Sequence, residues 1–399
     1  MATTKGALEG LRVIELGQLI AGPFAGKMLA EFGAEVIKIE PPDGGDPLRT
    51  WRKLHKDTSL WWYVQARNKK SVTANLRLPE GQDIVRRLAR TADVVIENFR
   101  PGTIEKWGLG YDALSRENPG LVMLRMSGFG QSGPSRSLAG FGAIGESMGG
   151  VRYVTGFPDR PPVRPNLSIG DSIAALHGVI GVLMALHHRT ANGGKGQVVD
   201  VALYEAVFNM MESTLPEFDL FGIVRERTGS NLTGIVPSNT YMTSDDHHVV
   251  IGANADSIFK RLMTVIGRKD LADDPGLADN AGRSQRRDEL DQVIGEWTER
   301  NAVDHVLKAL ADAQVPSGKI YSIADIVADP QYLARDMIRQ VELPDGTPLR
   351  VPGVVPKLTD TPGELKWVGP KLGEHTDEIL ARIGYSAAEI ATLRERKAI

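Results

Sequence analysis

An acid stands at the head of an apolar run in "NLSIGDSIAALHG", residues 166 to 178. A carboxylate so placed has two chemistries open to it. With Ser168 three residues before it, Asp171 completes the Ser-x-x-acid pattern of a helix cap. Held ionised by the helix dipole and the first-turn amides, it could instead attack a carbonyl as an oxygen nucleophile. The local pattern favours the cap, and the two roles are compatible. A second candidate is Ser147 in Gly145-Glu-Ser147-Met-Gly149, which matches the G-x-S-x-G elbow of serine hydrolases. An elbow needs a strand before the serine and a helix after it, whereas "GVRYVTG" beyond it reads as extended, so a glycine-bounded turn is preferred. A serine thioesterase at Ser147 is the rival from another enzyme class.

Basic residues gather in two further stretches. "QARNKKSVTANLR" carries Arg67, Lys69, Lys70 and Arg77, and "ENFRPGTIEKWG" adds Arg100 and Lys106. Charge pattern alone favours a solvated loop for the first. The functional alternative is a clamp in which flexible cations and backbone amides hold a polyphosphate. Two such loops at neighbouring strand ends would point to one anionic ligand. Gly128-Phe-Gly130-Gln-Ser-Gly133 and Gly140-Phe-Gly142-Ala-Ile-Gly145 both match G-x-G-x-x-G, but neither runs from a strand into a helix, so dinucleotide binding is disfavoured. The adjacent histidines 187/188 and 247/248 point their rings apart on any regular element, and no metal site is indicated.

These groups need a scaffold. "LRVIEL", a helix from Pro23 to Phe32 stopped by Gly33, and "EVIKIE" form a compact βαβ unit. "EGQDIVRRLARTA" then reads as helix, and "DVVIEN" and "LVMLRM" as strands. The alternation predicts a parallel, doubly wound sheet whose ligand loops follow Leu16, Glu40, Glu97 and Met126. "SIAALHGVIGVLMALHHRT" should be a long, mostly buried helix with apolar residues at 173, 176, 180 and 183, followed by a polar crossing segment around 216 to 234. Two strands in "NTYMTSDDHHVVIGA", helices at 256–266, 284–299 and 302–313, and a hairpin near 341–353 suggest a second domain. At 399 residues the chain exceeds what one core usually fills. A formal charge of −3 gives no basic excess to draw nucleic acid or an anionic membrane, and the lack of cysteine removes thiol nucleophiles and thiolate zinc sites. "MATTKGALEG" has no apolar signal region and no uninterrupted spanning run occurs, so the reading is cytoplasmic, or organellar matrix after processing.

Seven stretches in order, "GLRVIELGQLIAGPFAGKMLAEFGAEVIKIEPPDGGDPLR", "NKKSVTANL", "ENFRPG", "SGFGQSGP", "IGDS", "GKGQVVDVAL" and "GEHTDEIL", resemble the class III CoA-transferase family. That family includes formyl-CoA transferase, the carnitine CoA-transferase and the 2-methylacyl-CoA racemases. The resemblance implies an α/β fold: a large Rossmann-like CoA-binding domain over residues 1–215, an inserted smaller α+β domain over 225–330, and a C-terminal segment, 335–399, returning to the large domain. It implies an interlocked homodimer, acyl-CoA and carboxylic acid substrates, and Asp171 as nucleophile. CoA contacts carried over residue by residue fall on Ile20, Ala21, Ala74, Asn75, Leu76, Arg77, Asn98, Phe99, Arg100 and Lys106.

On that resemblance, Asp171 would pass through an anhydride and an aspartyl-CoA thioester to move CoA between two acids. The racemases pair the same aspartate with a histidine, where this chain has Phe141, so racemase chemistry loses its second base. Ile20 and Pro41 replace a glutamine and an arginine of the formyl-CoA transferase pattern, and "LTGIVPSNTY" lacks its glycine-rich loop. Formate and oxalate are therefore disfavoured, and a medium dicarboxylate such as glutarate, succinate or a methylated relative, with succinyl-CoA as donor, is expected from the breadth of the family.

Overall fold

A computed structural model describes residues 5–399. It divides into two compact units. One comprises the chain up to Val151, Pro165–Glu212 and Ala334–Ile399; the other comprises Arg152–Arg164 and Ser213–Leu333.

The first unit is built on six parallel strands: β1 (Arg12–Glu15), β2 (Glu35–Glu40), β3 (Lys69–Thr73), β4 (Val94–Glu97), β5 (Val122–Ser127) and β6 (Val198–Ala202), in the order β3-β2-β1-β4-β5-β6. Most of these residues are buried, as expected of a sheet covered on both faces. The order runs outward one way from β1 through β2 to β3, and the other way from β4 to β6. The switch point therefore lies between β1 and β4, where ligands of open α/β sheets bind beyond the strand ends. On one face pack α1 (Ala21–Glu31) and the long α5 (Ile169–Ala191); on the other lie α2 (Pro79–Ala89) and the C-terminal helices. Helix α1 ends where Gly33 takes φ +103°, the left-handed position that glycine fills without strain.

Three short helices complete the parts near the site: α3 (Thr103–Lys106), α4 (Gly142–Met148) and α6 (Leu203–Phe208). Because α5 leads into β6, which runs parallel to β5, the first turn of α5 lies on the side of the strands' carboxyl ends. Its buried face is made of Ala174, Ala175, Gly178, Val179, Val182, Ala185 and Leu186. A Cβ on Gly178 would come within 3.0 Å of Leu124, and one on Gly181 within 2.6 Å of Val199, so small residues set how closely the helix meets the sheet. The expected apolar stripe does not form the core. Leu176, Ile180 and Leu183 are exposed, with Met184 beside them, and Ile173 is half-buried.

In the second unit an antiparallel sheet of β7 (Ser238–Met242), β8 (His248–Gly252) and β9 (Ser317–Lys319) carries Val249 and Ile251 into a core with Phe259, Leu262, Ile294, Val306 and Leu310. The segment expected as a polar crossing begins with a helix, α7 (Thr214–Phe221). In the first unit the expected hairpin is β10 (Ile338–Glu342) paired with β11 (Pro348–Pro352).

Candidate active site

The backbone of the loop after β1 is held by side chains at several points. Gly17 O accepts from Lys38 Nζ at 2.8 Å. Gln18 donates to Asn98 Oδ1 and accepts from Asn98 Nδ2, both at 2.8 Å, which ties β1's loop to the end of β4 across the switch point. Leu19 sits at φ +64°, uncommon for a residue with a side chain, and its N–H donates to Asp46 Oδ1 at 3.0 Å. Ile20 O accepts from Gln65 Nε2 at 3.0 Å, and Pro23 O from Lys69 Nζ at 2.7 Å.

Beneath this loop lies a buried network. Lys38 bridges Glu15 (3.0 Å) and Asp46 (2.8 Å), Lys69 pairs with Glu15 at 2.7 Å, and Arg49 pairs with Glu40 at 2.7 Å. The three bases match the three acids, the condition under which buried charges are tolerated. Burial opposes the charge on Lys38, but Asp46 and Glu15 outweigh it and raise its pKa. For Lys69 burial wins over Glu15, and the pKa falls to about 8. Burial would raise Asp46, yet Lys38 and the Leu48 and Leu19 amides hold it below the ordinary carboxylate range.

Two cations of the first basic stretch therefore fit neither the solvated loop that its charge pattern favoured nor the clamp offered as the alternative. Arg67 is buried against Glu31 and donates to Pro352 O at 2.6 Å, and Lys69 is fully buried. Neither is available to a phosphate, because each is spent on an internal partner. Nor are the two basic loops neighbours: β3 and β4 are separated by β2 and β1, about 14 Å at ordinary strand spacing.

The cations that face solvent are others. Arg77, Arg100 and Lys106 are exposed, and their side chains have no hydrogen-bond or ion-pair partner among the described residues. Arg77 follows β3 in a turn where Asn75 Oδ1 accepts from its N–H at 3.1 Å; Ala74 is buried, and Asn75 and Leu76 are half-buried. Arg100 follows β4, beside Phe99, whose ring meets Trp107 edge-on at 5.3 Å. The Phe99 amide donates to Glu97 Oε2 at 2.8 Å, and Glu97 also pairs with Arg125 at 2.7 Å. Lys106 ends α3, and Ile20 and Ala21 are buried at the start of α1. All ten positions carried over as CoA contacts thus lie in loops or first turns beyond β1, β3 and β4.

Asp171 is in the first turn of α5 and half-buried. Gly142, the first residue of α4, lies so close that a Cβ there would run into the Asp171 carboxylate. The expected capping box is not closed: the Ser168 side chain makes no capping hydrogen bond. The amide of Gly170 instead donates to Glu146 Oε1 at 3.2 Å, from the fully buried Glu146 of α4. Gly145 and Gly149 let α4 approach α6, since a Cβ at either would come within 2.8 Å of Leu203 or 2.6 Å of Val207. The G-x-S-x-G reading fails on context. Ser147 lies inside α4, no strand leads into it, and its Oγ donates to Ala143 O at 3.0 Å. His177 turns its ring to Ile173 O and Asn209.

Sequence reasoning missed Glu146 and the residues that hold the β1 loop. A signal for the latter was present: Glu15 and Lys38 interrupt apolar strands, and they prove to be register partners on β1 and β2. Nothing local marks Glu146.

Comparison with known proteins places these loops in context. The profile of CoA-transferase family III matches residues 8–376. A succinyl-CoA–D-citramalate CoA-transferase of Chloroflexus aurantiacus is 50% identical over 98% of both chains. The alpha subunit of a succinyl-CoA–L-malate CoA-transferase from Chloroflexus aurantiacus is 42% identical over 98% of this chain and 92% of its own. A CaiB/BaiF family protein of Brucella suis, solved by crystallography, superposes with TM-score 0.83 at 35% identity, over 95% of this chain and 100% of its own.

Proposed function

Since the chain belongs to CoA-transferase family III and is a CoA-transferase acting on CoA thioesters, we propose that it moves CoA from succinyl-CoA to a small dicarboxylic acid through Asp171. The observation that carries the substrate class is the 50% identity, end to end, to a transferase named for succinyl-CoA and D-citramalate. The acceptor is therefore a four- or five-carbon dicarboxylate, citramalate first among those to test. Among the acids expected from the sequence, this favours the methylated relative over succinate and glutarate themselves.

In this reading one oxygen of Asp171 attacks the thioester carbonyl of succinyl-CoA, and the C–S bond breaks to give a mixed anhydride and CoA thiolate. The thiolate attacks the Asp171 carbonyl and expels succinate, leaving an aspartyl-CoA thioester. The acceptor carboxylate attacks that thioester and displaces the thiolate again. The thiolate then attacks the acceptor's acyl carbonyl, which releases the new acyl-CoA and the free Asp171 carboxylate. No net proton is taken up. The position of Asp171 in the first turn of α5 supports this role, because the helix dipole keeps the carboxylate ionised. Exposed, unpartnered Arg77, Arg100 and Lys106 would meet the phosphates of CoA, and the β1 loop its pantetheine arm. Phe141, exposed at the start of α4, supplies no second base for racemisation.

The test is isotopic. With acceptor acid labelled by oxygen-18 in its carboxylates, a single turnover should leave one labelled oxygen in the peptide containing Asp171, read by mass spectrometry. Exchange without label in that peptide, or full exchange by Asp171→Ala, would exclude the covalent route. We further propose that a second copy covers the outward face of α5. Leu176, Ile180, Leu183 and Met184, with Phe208 and Met210 beyond, form an apolar surface of the kind that marks an interface. Light scattering of Met184→Asp should report a smaller species than the parent protein.

A further inference from the structure

The sequence Ser-Ile-x-Asp opens two helices of this chain. Ser322-Ile-Ala-Asp325 closes as a box: Asp325 N donates to Ser322 Oγ at 3.3 Å, and Ser322 N donates to Asp325 Oδ2 at 2.8 Å. Ser168-Ile-Gly-Asp171 has the same serine and acid at the same spacing, and no box forms there. The two differ at one position inside the pattern, Ala324 against Gly170. At Gly170 the missing Cβ is filled from outside the helix. A Cβ there would stand 3.0 Å from Glu146 Cγ and 3.0 Å from Gly142 O, and the Gly170 amide donates to Glu146 Oε1 at 3.2 Å.

We propose that Glu146 caps α5 in place of the Ser168–Asp171 box and is thereby a positioning residue for Asp171. This rests on the reading of Asp171 as the nucleophile. A helix start can be satisfied from within its own segment or from outside it. A helix start leaves four amides without intrahelical partners, and an acid three residues past the cap ordinarily folds back towards the N-cap amide, as Asp325 does. An acid held in that way has one oxygen and its orientation committed to the backbone. A neighbouring carboxylate that takes the Gly170 amide satisfies the helix start by another route. Asp171 is then oriented against Gly142 of α4 and not by a box with its own N-cap residue. Glu146 suits this task because it is fully buried on α4, and α4 also places Gly142 against the Asp171 carboxylate. A single short helix thus both caps α5 and walls one side of the nucleophile.

The role separates from a general effect on folding through the choice of variants. Glu146→Gln keeps an amide oxygen able to accept from Gly170, and Glu146→Ala has none. The proposal expects Glu146→Ala to lower kcat by about a hundredfold, the scale of a small displacement of a reacting group, with KM for succinyl-CoA within about twofold. Glu146→Gln should stay within about threefold of the parent in both. Hydrogen exchange at the Gly170 amide, measured on the full-length protein, should quicken in Glu146→Ala and remain slow in Glu146→Gln. Equal losses of kcat in the two variants would overturn the proposal, since the charge would then matter rather than the cap. So would an unchanged kcat in Glu146→Ala, or Gly170 exchange that does not differ between the variants. If Glu146→Ala does not fold, Glu146→Gln decides alone: fast Gly170 exchange or a large kcat loss sinks the capping role. Full exchange activity in Asp171→Ala would instead sink the nucleophile reading, and the Gly170 measurement would still decide whether Glu146 caps α5.

Discussion

Ser168-Ile-Gly-Asp171 and Ser322-Ile-Ala-Asp325 are nearly one sequence with two outcomes. In the second, serine and aspartate serve the helix they begin, and Lys319 adds an ion pair to Asp325 at 2.8 Å. In the first, the serine side chain stands aside, a glutamate from another helix takes the amide, and the aspartate faces a glycine. The difference teaches that a capping pattern specifies a possibility, and that packing against the helix start decides whether the acid is consumed by it. One missing methyl group, at Gly170, admits the competing carboxylate.

Four measurements test the contrast. The largest effect is chemical: Asp171→Asn should lower the CoA exchange rate at least about a thousandfold, while Asp325→Asn leaves kcat as it was. Equal sensitivity of the two sites in a mass-spectrometric exchange assay would erase the distinction. Next is the residue between serine and acid. Gly170→Ala forces a Cβ against Glu146 and the Gly142 carbonyl and should destabilise by about 1–3 kcal/mol with loss of activity. Ala324→Gly should cost about 1 kcal/mol, through helix propensity, with activity intact. Denaturant titration alongside kcat reads both. Third, Ser322→Ala should cost about 1 kcal/mol because its oxygen caps, whereas Ser168→Ala should change stability by less than about 0.5 kcal/mol. The smallest effect is in pH. Lys319 and the Ser322 hydroxyl and amide hold Asp325 well below its ordinary 3.8, so the unfolded chain binds that proton first. The stabilisation is complete above about pH 4 and falls away as pH drops further towards the folded pKa, and Lys319→Met should flatten that acid limb of thermal stability.

What could be read from the residues followed from periodicity and burial. Strands β1, β2, β4 and β5 are largely apolar runs, and every strand proposed for the first forty residues and for 93–126 is present; β3, Lys69-Lys70-Ser71-Val72-Thr73, carries no such pattern. Helix α5 was legible as a helix but not in its orientation. Its large residues, Ile180, Leu183 and Met184, turn outward while Ala, Gly and Val meet the sheet, because the approach to β5 and β6 leaves space only for small side chains. The same limit governs the basic stretches. Lys69 and Arg77 lie eight positions apart, and the sequence holds nothing to say that one is sealed beneath a loop with Glu15 while the other stands in solvent. Their fates depend on pairing across strands, which no local window contains. Asp171 could be seen to open a helix. That Glu146, twenty-five residues earlier, takes the amide beside it is a tertiary fact.

The loop after β1, proposed above to meet the pantetheine arm, would also bear on the kinetics of capture. With Gly17, Leu19 and Ile20 bonded to buried side chains, Gln18 to the half-buried Asn98, and Pro23 in the following helix held by Lys69, its backbone has little freedom left to lose. An extended thioester arriving there would meet a surface whose ordering cost was met when the chain folded. Association at this loop should accordingly run as a single concentration-dependent phase, with no slow rearrangement following the encounter.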